Sequence, residues 1–448
     1  MADSNSNQTP SAQAEGVRFL VRALRHRNYR LFFGGQSVSL IGTWMTRIAT
    51  SWLVYRLTGS AMLLGLVGFA GQLPTFLLAP FAGVWVDRWN RHRVLVVTQV
   101  LAMLQSFALA VLALTGRITA WDILWLNAFQ GAINAFDMPA RQAFVLEMVT
   151  DRGDLSNAIA LNSSMVNMAR LIGPSIAGLI IAVVGEGYCF LIDGFSYLAV
   201  IASLLFMRLA TVAPTRRGKN TLADLKEGWQ YVTGFAPVRD VMLLLCVASL
   251  MGMPYMVLMP IFAGQILHGG PHTLGFLMGA TGVGALTGAV ILAARRSVLG
   301  LGRVIWLAST GFGAGLIAFS ASRWLWLSYA LMFVVGLGMM QQMASSNTIL
   351  QTITPDDKRG RVMSYYTVAI VGMMPFGSLL SGWLAARLGA PIALAIGGAA
   401  CVIGAGIFAL RLGRIRALVH PIYVQLGIIP EIAEGINSAA VLTSVSEE

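Results

Sequence analysis

The chain has 448 residues, 56% of them hydrophobic and only 11% charged, with a mean hydropathy of +0.72. A soluble domain carries about one quarter charged residues, so water is not the main solvent of this surface. The formal charge of +12 would suit nucleic acid if it were gathered in one patch, but it is spread over short loops between apolar runs.

In chain order, residues 1–17 are polar, and the first apolar run comes too late and is too long for a cleavable leader. A helix needs ~20 apolar residues to cross a bilayer. Twelve candidate spans follow, at about 31–55, 62–86, 94–115, 121–141, 157–184, 188–207, 241–263, 273–294, 303–321, 324–349, 362–386 and 391–411. The ten-residue alternating segments of a β-barrel are not found. The expected organisation is all-α and integral to the membrane: a tail over 1–30, a six-helix bundle over 31–208, a linker over 209–237, a second bundle over 238–412 and a tail over 413–448. Within the linker, "TLADLKEGWQYV" reads either as a short amphipathic helix at the membrane interface or as a solvated connection.

Lys and Arg set the orientation. With the N-terminus inside, 25 of the 31 Lys and Arg fall in inner segments and 4 (Arg56, Arg117, Arg323 and Arg387) in outer loops; Arg47 and Arg170 stay in the membrane. This places both termini in the cytoplasm and leaves no role for nucleic acid. Cys189, Cys246 and Cys401 sit in apolar runs at no metal spacing, so neither a disulfide framework nor a metal site is expected. There is also no nucleophile elbow and no Walker loop, which argues against an enzyme and against self-powered ATP transport. No cofactor is expected.

Residues 140–185 and 344–389 have the same length at an offset of 204. Gly173, Gly178 and Gly185 fall on Gly377, Gly382 and Gly389. More loosely, 65–93 matches 275–303, with Gly65 on Gly275 and Arg93 on Arg303. Two six-helix halves related in parallel are the signature of a major-facilitator architecture.

Between the second and third runs stands "GVWVDRWNRHRV" (83–94). It resembles the loop G-x-x-x-D-R-x-G-R-R of major facilitator transporters through Gly83, Asp87, Arg88, Arg91 and Arg93. Asn90 stands where Gly is usual and His92 where a base is usual; Asn tolerates a left-handed turn. The resemblance implies a cytoplasmic gate that closes and opens during alternating access. Gly83 would let two helices pack closely, and Asp87 would pair with a nearby Arg or with the dipole of a neighbouring helix. A plain positive-inside loop needs Arg but not Asp and Gly at these spacings. "FGGQSVSLIGTWMTRIATSWLVYRLTGS" (33–60), "PTFLLAPFAGVWVDRWNRHR" (74–93), "FDMPARQAFVLEMV" (136–149) and "NAIALNSSMVNMARLIGPSIAGL" (157–179) are similar to a bacterial branch. That branch includes the enterobactin exporter and macrolide-efflux-type drug–proton antiporters. The resemblance implies a proton-coupled exporter of a small amphipathic compound, drug or siderophore-like, working as a monomer in a bacterial inner membrane. The alternatives are a lysolipid or other metabolite transporter of the same fold, and a receptor or scaffold that does not transport.

Four charged residues inside the spans are candidates for the substrate and proton pathway. Arg47 shares a small, polar face with Gly35, Ser39 and Thr43 at four-residue steps, as expected of a wall of a water-filled cavity. It would bind an anionic group, pair with a carboxylate, or serve structure alone. Arg170 precedes "GPSIAG", a partial match to an antiporter motif, and carries the same alternatives. Asp137 forms an i, i+4 pair with Arg141 and is either a structural ion pair or a proton site. Asp193 is expected near the outer interface, either hydrated or a proton site. On the seventh run, Met242, Met251, Met253, Met256 and Met259, with Pro254 and Pro260, suit varied apolar ligands or plain packing.

Overall fold

The computed structural model describes residues 22–149, 151–208, 221–295 and 297–428, without the side chains of Pro80, Val84, Asp87, Arg152 and residues 221–225. Among these residues there is no strand. The first half holds α1 (Arg27–Thr58), α2 (Ala61–Arg88), α3 (Arg91–Leu114), α4 (Ala120–Met148), α5 (Leu155–Val184) and α6 (Glu186–Leu205). After linker helix α7 (Thr221–Gly234) come α8 (Ala236–Ile266), α9 (Pro271–Ala293), α10 (Leu301–Ala321), α11 (Leu325–Ile353), α12 (Asp356–Leu388) and α13 (Ala390–Gln425). Among the described residues, ten of these helices are long and apolar enough to cross a membrane. α1 and α4 fall outside that measure because they carry charged and amide side chains, Arg47 in one and Asp137, Arg141 and Asn134 in the other.

Local chemistry sets the ends. The Ser60 hydroxyl accepts the Leu63 N–H, and Thr119 and Asp122 form a reciprocal capping box. Asn90 does not take the left-handed turn that its place in the loop suggested. Its φ is −70°, and its side chain accepts the Arg93 N–H at 3.1 Å, so it is the N-cap of α3. Gly185 and Gly389, paired by the repeat, have φ of +92° and +86° and join α5 to α6 and α12 to α13. α13 runs past residue 412 because Ile415, Val419 and Tyr423 bury against the cluster that includes Val238 and Val362.

The two halves are built alike. α1 packs on α5 and α6, α2 on α4, and α3 on α4 and α6; in the second half α8 packs on α12 and α13, α9 on α11, and α10 on α11 and α13. The halves meet where α5 lies on α9 and α2 on α12. Both contacts rest on the glycines that the repeat pairs. A Cβ on Gly65 would fall 2.7 Å from the Ser378 oxygen and 2.8 Å from the Gly382 Cα. One on Gly275 would fall 2.6 Å from the Pro174 oxygen and 3.0 Å from the Gly178 Cα. Both contacts lie on the side away from the two tails.

Among the described residues the ion pairs, by contrast, join elements of one half or fasten the linker helix to the second half. Arg56 reaches Glu186 at 2.9 Å and Arg91 reaches Glu147 at 2.8 Å in the first; Arg411 reaches Asp240 at 2.8 Å in the second. α7 lies against α12 through Arg361–Glu227 and the Trp229 and Tyr365 rings.

At the tail side, the buried Asp154 gathers Arg22, Arg25 and His26 at 3.2, 2.8 and 2.9 Å. The hydrogen bond from His26, with the two arginine charges behind it, outweighs desolvation and holds this carboxyl below the usual aspartate range. The contribution is therefore present above the unfolded pKa of about 3.9 and is lost as pH falls through the lower folded value. At neutral pH, Asp154→Asn should expose the 22–26 turn, seen as faster tryptic cleavage at Arg25 and Arg27. Unchanged cleavage would mean that the turn is held by other contacts.

Candidate functional site

A cavity of about 220 Å³ lies between the halves. The first half gives it a polar wall, with Thr43, Gln72, Asn127, Gln130, Asn134 and Asp193 among the lining residues. The second half gives mostly apolar groups: Met253, Pro254, Met256, Val257, Met278 and Met374. Gln72 spans the two, its amide donating to the Ser378 hydroxyl at 3.4 Å.

Asp193 is not at a hydrated interface. It is 1% exposed, two turns into α6, and its carboxylate borders the cavity. Thr46 and Ser106 donate to it at 2.8 and 2.9 Å, and Ser196 at 3.4 Å. All three partners are neutral hydroxyls. α1 can come this close because Gly42 stands opposite; a Cβ there would fall 2.6 Å from the Asp193 Oδ1. Covering helices, not depth along the sequence, bury this group.

Asp137 has a different environment. It is 2% exposed and takes hydrogen bonds from Thr98 at 3.0 Å and Gln99 at 2.8 Å, as well as its ion pair with Arg141. This arrangement ties α4 to α3 and lies outside the lining of the central cavity.

The small, polar stripe on α1 divides. Gly35 and Ser39 pack inward; a Cβ on Gly35 would lie 2.8 Å from the Ala199 oxygen of α6. Thr43 and Arg47 open into the cavity. Four residues turn a helix by about 400°, so a four-residue stripe drifts by about 40° each step and leaves one face for the next. Arg47 and Arg170 both lie on the Trp44 ring, at 4.6 and 5.3 Å from its centroid. Each repels the other's charge, and the buried Arg170 Nε has no hydrogen-bond partner among the described residues. Trp44 was not singled out in the sequence. Gly173 of "GPSIAG" seats α1: a Cβ there would lie 2.6 Å from the Trp44 Cβ.

The methionines of α8 divide too. Met253 and Met256 face the cavity beside Pro254, whereas Met242 and Met259 are core residues. Two π-helical turns, Ala248–Gly252 and Phe262–Ile266, flank the prolines, and a third, Val368–Gly372, interrupts α12. Such turns re-aim side chains in mid-helix and gather at functional sites.

In the 83–94 loop, Arg91 pairs with Glu147, and His92 Nε2 donates to the Leu204 carbonyl at 2.9 Å, fastening α3 to α6. Arg88 and Arg93 are exposed. Gly83 does not support close helix packing in this state, because a Cβ there would meet nothing within 4 Å. The Asp87 side chain lies outside the described residues.

Two similar helical halves around a polar–apolar cavity define a multi-pass membrane transporter. The chain belongs to the transmembrane secretion effector family of the major facilitator superfamily, whose sequence profile matches residues 21–419. It is 25% identical to the staphyloferrin A transporter of Staphylococcus aureus over 78% of this chain and 88% of that one. It is 30% identical to the multidrug efflux pump Tap of Mycobacterium tuberculosis, over 84% and 91%. Macrolide efflux protein A of Streptococcus pyogenes is 24% identical over 82% and 92%. The fold matches crystal structures of a point mutant of the nucleoside transporter NupG (TM-score 0.67, 13% identity, 86% and 99% coverage) and of a D-xylose–proton symporter (0.65, 15%, 87% and 97%). The protein is a transporter and not an enzyme.

Proposed function

We propose that this protein is a proton-coupled exporter of a small amphipathic compound. It works by alternating access, as a monomer, in a bacterial inner membrane with both termini in the cytoplasm. The observation that carries this reading is the cavity between the halves, lined both by Asp193, a buried carboxyl that accepts from hydroxyls, and by Arg47, which has no carboxylate partner among the described residues. Relatives named for siderophore, multidrug and macrolide transport support export. The excess of Lys and Arg on the tail side supports the orientation.

Asp193 is the proton site in this scheme. A carboxyl with neutral partners can gain and lose a proton without breaking an ion pair; Asp137 would have to abandon Arg141. Arg47 receives an anionic group of the cargo, with Arg170, which lies outside the cavity lining, adding positive charge from across the Trp44 ring, and the methionine wall takes the apolar body. The 83–94 loop, with Gly83, Asp87, Arg88, Arg91 and Arg93, is the cytoplasmic gate.

Proton release from energised everted vesicles, with a panel of siderophores, drugs and lysolipids, tests this reading. An anionic amphiphile should collapse the gradient only when the protein is present. Arg47→Gln should raise the concentration needed by about tenfold, the value of one charged hydrogen bond. A response confined to lipophilic cations would overturn the role of the arginines, and no response to any compound would overturn proton coupling.

A further inference from the structure

A second, larger hollow of about 680 Å³ lies on the outer flank of the first half, between the end of α2, the first half of α3 and the middle of α4. Its body is apolar and open to the surroundings: Val97 is 56% exposed and Phe129 44%, with Leu101 and Ile133 between them. Its mouth, at the tail-side boundary, carries Arg88 and Arg93. Of the three arginines in this loop, Arg91 is engaged by Glu147. Arg88 and Arg93 are exposed and have no ion-pair partner among the described residues. Trp85, Trp89 and Phe136 stack beside the mouth with centroids 6.0 to 6.4 Å apart.

We propose that this groove binds an anionic phospholipid of the tail-side leaflet. One acyl chain lies along Val97, Leu101 and Phe129, and the phosphate sits between Arg88 and Arg93. Charge complementarity selects the occupant. An apolar channel alone accepts any lipid tail, but two exposed guanidinium groups with no ion-pair partner among the described residues, at headgroup depth, favour a net negative headgroup. The tryptophans belong at that depth, where an amphipathic ring is stable. The fold supplies the mouth: the Asn90 cap starts α3 abruptly, so Arg93 stands in the first turn of a helix whose N-terminal dipole adds to the field. The proposal is independent of cargo and coupling ion.

The test is native mass spectrometry of the full-length protein from detergent, offered phosphatidylglycerol, phosphatidylcholine and water-soluble glycerol phosphate. Wild type should retain phosphatidylglycerol over phosphatidylcholine. Arg88→Gln with Arg93→Gln should weaken that retention about 30-fold, the effect of two surface charges. Arg414→Gln with Arg416→Gln, exposed on the same side, should leave it unchanged. Val97→Trp, which keeps both arginines and fills the channel, should lower retention as well, so the result does not rest on the arginine variant alone. Equal retention of both lipids by wild type, or a preference that survives in the double variant, would overturn the proposal. So would competition by glycerol phosphate, which would make this a site for soluble anions.

Discussion

Asp193→Asn should insert normally and still bind cargo, yet release no protons above the background of vesicles lacking the protein. The substitution keeps the shape of the side chain and a carbonyl oxygen to accept from Thr46 and Ser106, so the contacts between α1, α3 and α6 survive. What it removes is the one chemical event that coupling needs, the exchange of a proton at this position. Asp137→Asn is the informative companion. It breaks the pairing with Arg141 and leaves a charge facing α3; the expected result is a less stable protein with coupling intact. Thermal unfolding and proton release, measured on both variants, separate the two carboxyls. Coupled transport in Asp193→Asn would refute its assignment, and loss of coupling in a well-folded Asp137→Asn would transfer the role.

The second large effect concerns the glycine contacts that hold the halves together away from the tails. Gly65→Val should not unfold either half, since the nearest atoms that an added Cβ meets belong to the other half, at Ser378 and Gly382. Overpacking of this kind costs about 1–3 kcal/mol, enough to change the ratio of open to closed forms by about 5- to 150-fold. Gly275→Val, its partner in the repeat, should act alike because it meets Pro174 and Gly178 in the same geometry. A cysteine placed in the cavity by Ser51→Cys reports the change. Its labelling by an impermeant maleimide, added from the side away from the tails, should rise in both variants. Labelling that matches the parent would mean that these contacts do not control access.

The helices were legible because the bilayer demands long apolar runs and loop charge marks their ends. The glycine repeat was legible as spacing, but its purpose was not. Gly65 and Gly382 belong to different pairs in the sequence and meet only because the halves are related in space. The burial of Asp193 was not legible, because hydropathy gives depth along one helix and says nothing of the neighbours that cover it. The polar wall had a signal that went unused. Asn127, Gln130 and Asn134 recur at three- and four-residue steps within an apolar run, and that spacing puts them on one face. The pairing of Arg47 and Arg170 on Trp44 joins two helices far apart in the chain, and no local pattern encodes it.

Among the described residues, ion pairs do not bridge the two halves, and this governs what the rocking motion has to overcome at the glycine crossings. Arg56–Glu186, Arg91–Glu147 and Arg411–Asp240 travel with the bodies they belong to. At the two glycine crossings, separation parts backbone from backbone, with no charges to pull apart and rehydrate. The crossing therefore has the character of peeling two dry, close-fitting surfaces. Ionic strength has little purchase on such a step, whereas the thickness and lateral pressure of the surrounding lipid act on it directly.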